Sequence, residues 1–128
     1  MKERKVILTN KAPQPRGPYS QAVVHGGLLY ISGQGPVDPV TNKLIKGTIA
    51  QETTRTLENI KTIIEEAGGR LENILKITCF LADMDDYSAF NNAYKDYFIK
   101  EPPARTTVQA GRLPSDIKIE MDAIVALD

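Results

Sequence analysis

One histidine and one cysteine are all the imidazole and thiol this chain contains. Cys79 alone closes no intramolecular disulfide and falls short of the two to four cysteines of a common zinc site, and His25 has no second imidazole with which to share a metal. A reducing compartment fits that usage. Net charge is lacking too: sixteen Lys and Arg balance sixteen Asp and Glu. No overall positive field draws in a phosphate backbone, so nucleic acid is not the expected partner. No apolar run approaches the roughly 20 residues of a membrane span. The opening MKERKVIL passes into strand-like sequence without the apolar core of a signal peptide. The expected location is the cytoplasm, with no membrane partner. No Walker A lysine loop is present, and the glycines of GGLLYISGQG flank a strand instead of opening a helix, so no nucleotide cofactor is expected. A Ser-His-Asp or Cys-His arrangement would need His25, which follows strand residues at a turn, while Cys79 falls on an apolar face where a thiol behaves as a small hydrophobe.

What remains is an ordinary globular chain of 128 residues, 41% hydrophobic and 25% charged, which fits a single domain over residues 1–128. Residues 4–8 form a short apolar run that the Pro and Gly cluster of residues 11–18 stops. QAVVHGGLLYISG reads as two strands turning at Gly26-Gly27. Thr48, with Gln51 three residues on, predicts a capping box, and Ile49, Thr53, Leu57, Ile60, Ile63, Ile64 and Ala67 recur at helical spacing until Gly68-Gly69. Residues 73–82 alternate, with Leu75, Ile77, Cys79 and Leu81 on one side. From Asp85 to Phe98 the set Tyr87, Phe90, Tyr94, Tyr97 and Phe98 returns to helical spacing, and Pro102-Pro103 prevents continuation. Two strands, ARTTVQAG and residues 117–127, complete the order β-β-β-α-β-α-β-β. The expected fold class is α+β, a two-layer domain with two helices on one face of a mixed six-stranded sheet.

The chemistry-bearing side chains are sparse. Period two puts Arg105, Thr107 and Gln109 on one face of their strand. In the last strand Ile117, Ile119, Met121, Ala123, Val125 and Leu127 form an apolar row, and Glu120 lies on the other face where polar residues give way to apolar ones. Arginine is the side chain best suited to grip a planar carboxylate, and a glutamate near it can position or deprotonate water. Structural charges outnumber catalytic ones, however, and spacing alone favours a surface or structural role for both. Paired as a hairpin, the two strands would hold Arg105 and Glu120 several residues apart in register, so that the two need not touch within one chain, and convergence across a subunit boundary stays open. Tyr19 in GPYSQA and Ser32 in YISGQGP occupy loop-like positions that can face a pocket; the simpler roles are packing at the core edge and a turn hydrogen bond. Asn91 borders the apolar face of the second helix, where an amide can hold a loop.

These segments together resemble the RidA/YjgF family over nearly the whole chain: GPYSQAV, LLYISGQGPVDP, TLENIKTIIEEAGG, FLADMDDYSAFNNAYKDYF, PPARTTVQAGRLP and IKIEMDAIVAL. The resemblance implies a chorismate-mutase-like fold assembled as a homotrimer with sites between subunits. It also implies cofactor-independent hydrolysis of 2-iminobutanoate and 2-iminopropanoate to 2-keto acids and ammonia. By the same resemblance Arg105 binds the substrate carboxylate, Glu120 activates water, and Tyr19, Ser32, Asn91 and Thr107 contribute to the substrate pocket, with no metal or cofactor. Such imines would come from pyridoxal-phosphate-dependent dehydratases. Many deaminases of the family carry cysteine where this chain has Thr107; threonine keeps the backbone groups and offers a hydroxyl. Two other readings stand beside this one: a 2-keto acid sensing module without turnover, and an endoribonuclease, which zero net charge and a lone histidine disfavour.

Overall fold

A computed structural model describes residues 3–128. Six strands make one mixed sheet: β1 (Lys5–Ile7), β2 (Ala22–His25), β3 (Leu28–Gln34), β4 (Ile74–Leu81), β5 (Ala104–Gln109) and β6 (Ile119–Ala126), in the order β1-β2-β3-β6-β4-β5. β4 and β5 are parallel and all other neighbours antiparallel. Helices α1 (Ile49–Glu66) and α2 (Tyr87–Tyr94) cover one face. The expected element order and two-layer architecture are thus present. The β2–β3 hairpin turns at Gly26 and Gly27, with φ of 60° and 80°, the left-handed pair that a two-residue turn of this twist requires. It does not form the edge of the sheet, because β1 pairs outside β2.

The α1 N-terminus is the predicted capping box: Thr48 Oγ1 accepts from Gln51 N at 3.2 Å and Gln51 Oε1 accepts from Thr48 N at 2.9 Å. Each bond satisfies an amide that the first helical turn leaves without a partner. The inner stripe of α1 (Leu57, Ile60, Ile63, Ile64) packs with Ile77, Cys79, Ile119, Met121 and Val125, all fully buried. Burial of side chains of this size contributes roughly 1.5–3 kcal/mol each.

Several details depart from the sequence reading. Leu75, expected on the core face, is 49% exposed and Ile74 takes its place. The pairing of β4 with β6 shifts register between Ile74 and Lys76, and such a shift turns the side chains upstream of it to the opposite face. The helix expected over residues 85–98 is α-helical only over Tyr87–Tyr94, with 3-10 turns at Met84–Asp86 and Lys95–Tyr97. The first of these is held by Asp83 Oδ1 accepting from Asp85 N at 2.9 Å. The last two strands do not pair with each other. β5 lies beside β4 at the sheet edge, and β6 runs between β3 and β4. Within the described residues, no helix is long and apolar enough to cross a membrane.

Candidate active site

The strand order places Arg105 and Glu120 on opposite faces of the sheet. Arg105 is in register with Ile77, whose side chain lies under the helices, whereas Glu120 is in register with Phe80, which faces away from them. β4 stands between the two residues. Within one chain they cannot act on the same atom, and the chain instead carries two half-sites.

The first half-site is built around the guanidinium of Arg105. Its Cζ lies 4.7 Å from the ring centre of Tyr94, 5.0 Å from Phe90 and 5.7 Å from Tyr87. Cation–π attraction acts within about 6 Å of a ring centre, so all three rings contribute. Arg105 Nη2 also donates to Tyr87 Oη at 3.1 Å. No ion pair among the described residues uses Arg105. Asn91 and Arg105 line one shallow concavity of about 390 Å³. The amide of Asn91 makes no hydrogen bond among the described residues, so the loop-holding role is not seen. Thr107 sits two residues along β5 on the same face, in register with Cys79. Its Oγ1 is buried beside the thiol, and neither it nor the buried Tyr94 Oη has a partner in hydrogen-bonding geometry among the described residues. Burial pushes the Cys79 thiol up to about 12, against the opposing pull of the Arg105 charge. That thiol stays protonated at neutral pH and is no nucleophile.

The second half-site is a cleft of about 260 Å³ on the other side, lined by Tyr19, Gly33, Ser115, Ile117 and Glu120 among others. Its floor depends on a missing side chain: a Cβ on Gly33 would stand 2.5 Å from Glu120 Oε2. Burial, and secondarily the charge of Asp122, raises the Glu120 carboxyl above the ordinary carboxylate range. Glu120 takes part in no ion pair among the described residues. A half-buried, unpaired carboxylate of raised pKa is a stronger base than a solvated one. Tyr19 is 49% exposed, not packed at the core edge, and its Oη accepts from Arg16 N at 3.1 Å. Ser32 does not line the cleft. Its Oγ donates to Ser20 O at 2.6 Å, a long-range bond that fixes the residue next to Tyr19 in place of the local turn bond expected of it.

Sequence reasoning missed the ring cage. Tyr87, Phe90 and Tyr94 follow one another at three- and four-residue spacing and read as ordinary core stripe. The only available signal was that the strand after the helix carries an arginine on its inner face. The buried Glu52 was missed as well: its Oε1 accepts from Lys118 N at 2.8 Å and its Oε2 from Gly47 N at 3.2 Å, tying α1 to the approach of β6.

The fold and its two half-sites define a small α+β protein with a ring-braced arginine on one sheet face and a half-buried glutamate on the other. The family model described as Endoribonuclease L-PSP matches residues 9–127. A RutC family protein of Pyrococcus abyssi is 47% identical over 121 residues, covering 94% of this chain and 95% of that one. The Bos taurus protein named 2-iminobutanoate/2-iminopropanoate deaminase is 44% identical, covering 94% and 88%. Among solved structures, E. coli TdcF with bound serine superposes with a TM-score of 0.91 at 37% identity, covering 97% of this chain and 99% of that one. The chain belongs to the RidA/YjgF (Endoribonuclease L-PSP) family.

Proposed function

We propose that this protein hydrolyses 2-imino acids such as 2-iminobutanoate and 2-iminopropanoate to 2-keto acids and ammonia, at sites completed between copies of the chain in a homotrimer. The observation that carries the reading is the Arg105 guanidinium, braced by three aromatic rings and one hydroxyl yet paired with no carboxylate among the described residues. Such an arginine is ready for a planar anion. The naming of relatives as imine deaminases supports the choice of substrate.

A 2-imino acid is already electrophilic, so the protein needs to hold it and deliver water. Arg105 of one copy grips the carboxylate. Glu120 of a neighbouring copy takes a proton from water as its oxygen bonds to the imine carbon. The C=N electron pair moves to nitrogen, which gains a proton. The adduct's hydroxyl proton then passes to the nitrogen as C=O forms and ammonia leaves. No step requires a metal, cofactor or redox partner.

Assembly is supported by the helix-free face, where Tyr30 is 44% exposed and Phe80 and Ile124 are half-buried. An antiparallel sheet can leave one face to water, but apolar residues there favour cover by another copy. The fold class proposed for the assembly is chorismate-mutase-like. Pyridoxal-phosphate-dependent dehydratases are the proposed source of the imines, and the cytoplasm the proposed location.

The test generates 2-iminobutanoate in situ with a dehydratase and measures 2-ketobutanoate release against a competing trap. Acceleration by the wild-type protein, lost in a correctly assembled Arg105→Ala, supports the reading. Saturable keto-acid binding without acceleration would point to a sensing module, and RNA cleavage lost in Arg105→Ala to a nuclease.

A further inference from the structure

We infer that Tyr87 is a positioning residue that sets the rotation of the Arg105 guanidinium and so directs its free edge at the substrate carboxylate. The inference rests on the proposed role of Arg105. Stacking against Phe90 and Tyr94, both buried and centred 5.0 and 4.7 Å from Cζ, limits how far the guanidinium can move from those rings. A ring face attracts a cation without specifying which N–H points where. The hydrogen bond from Nη2 to Tyr87 Oη, at 3.1 Å, supplies the missing constraint, because the nearby Tyr94 hydroxyl makes no hydrogen bond in proper geometry among the described residues. It uses one of five N–H donors and leaves the others for a two-point grip. No carboxylate competes for that role, since no ion pair among the described residues includes Arg105. Tyr87 is 40% exposed, whereas Phe90 is fully buried, so the orienting hydroxyl belongs to the ring that contributes least to the core. Tyr87 opens α2, and Phe90 and Tyr94 follow on the same helical stripe. One helix therefore holds the arginine by faces and by edge.

The experiment compares wild type with Tyr87→Phe, which keeps the ring and removes only the hydroxyl, and with Tyr97→Phe, whose hydroxyl donates to Glu58 away from the site. In protein labelled with 15N-arginine, the Arg105 guanidinium signals are assigned by their loss in Arg105→Lys. Resolved Nη signals in wild type and in Tyr97→Phe, merging in Tyr87→Phe through faster rotation, are the expected result. Because the carboxylate is gripped in ground and transition state alike, KM should rise about three- to tenfold with kcat within about twofold. Unchanged Arg105 signals in Tyr87→Phe would overturn the inference, as would a fall in kcat at constant KM. If wild type fails to hydrolyse imine, the proposed function falls, while the guanidinium spectra still decide whether Tyr87 orients Arg105.

Discussion

The two faces of the sheet treat their charges in opposite ways. On the helix side Arg105 is braced by packing: three rings and one hydroxyl hold a cation that no carboxylate among the described residues neutralises. On the open side Glu120 is braced by nothing comparable. It occupies space that Gly33 leaves, next to Asp122, with its carboxyl raised by burial and by that like charge. One half-site is mechanically prepared and the other electrostatically loaded. Each lacks what the other has, and β4 keeps them apart within one chain. In the proposed function the gripping residue and the proton acceptor come from different copies, so that assembly and chemistry become one requirement.

The sharpest way to break the contrast is to remove the base. Glu120→Gln keeps shape and removes the proton acceptor, and kcat should fall about 10²- to 10⁴-fold in single-turnover assays while the oligomer persists. On the other side, Arg105→Lys keeps charge and loses the planar grip. Imine hydrolysis should fall roughly thirty- to a thousandfold, and lysine should do little better than alanine. Gly33→Ala tests the cleft floor. The added methyl meets the end of a flexible side chain, so thermal stability should hardly change, while the displaced carboxylate should cost about ten- to a hundredfold in rate. The smallest effect concerns pH. Glu120 and Asp122 have raised carboxyls in the folded chain, so their contribution to stability is present in acid and is lost as pH rises through the folded values. Denaturant unfolding should therefore show Glu120→Gln losing less stability than wild type between acid and neutral pH, by under about 1 kcal/mol after solvent screening. The acid limb of wild-type kcat/KM should also lie above the ordinary carboxylate range.

The strongest local signals in the sequence correspond to real elements. The Thr48–Gln51 box, the Gly26-Gly27 turn and the period-two row of β6 each arise from short-range constraints, which neighbouring residues determine. Leu75 was misplaced because a register shift depends on the partner strand, which no local window contains. The same applies to the site. Arg105 and Glu120 were legible as residues able to grip and to activate, but their separation onto two faces follows from β6 inserting between β3 and β4, a long-range choice. The hydroxyl of Tyr87 was hidden for a different reason: a tyrosine in an apolar helical stripe reads as packing, and only the fold brings an arginine beneath it.

Subunit mixing tests most directly the claim that one active site draws Arg105 and Glu120 from different copies. Arg105→Ala and Glu120→Gln proteins, each nearly inactive alone, are unfolded together in equal amounts, refolded and assayed for 2-ketobutanoate release from 2-iminobutanoate. If each site of a trimer takes its arginine from one copy and its glutamate from the next, random assembly leaves about one site in four with both residues intact. The account predicts recovery of about a quarter of wild-type activity. Mixed oligomers of verified composition that remain as inactive as either parent would contradict it.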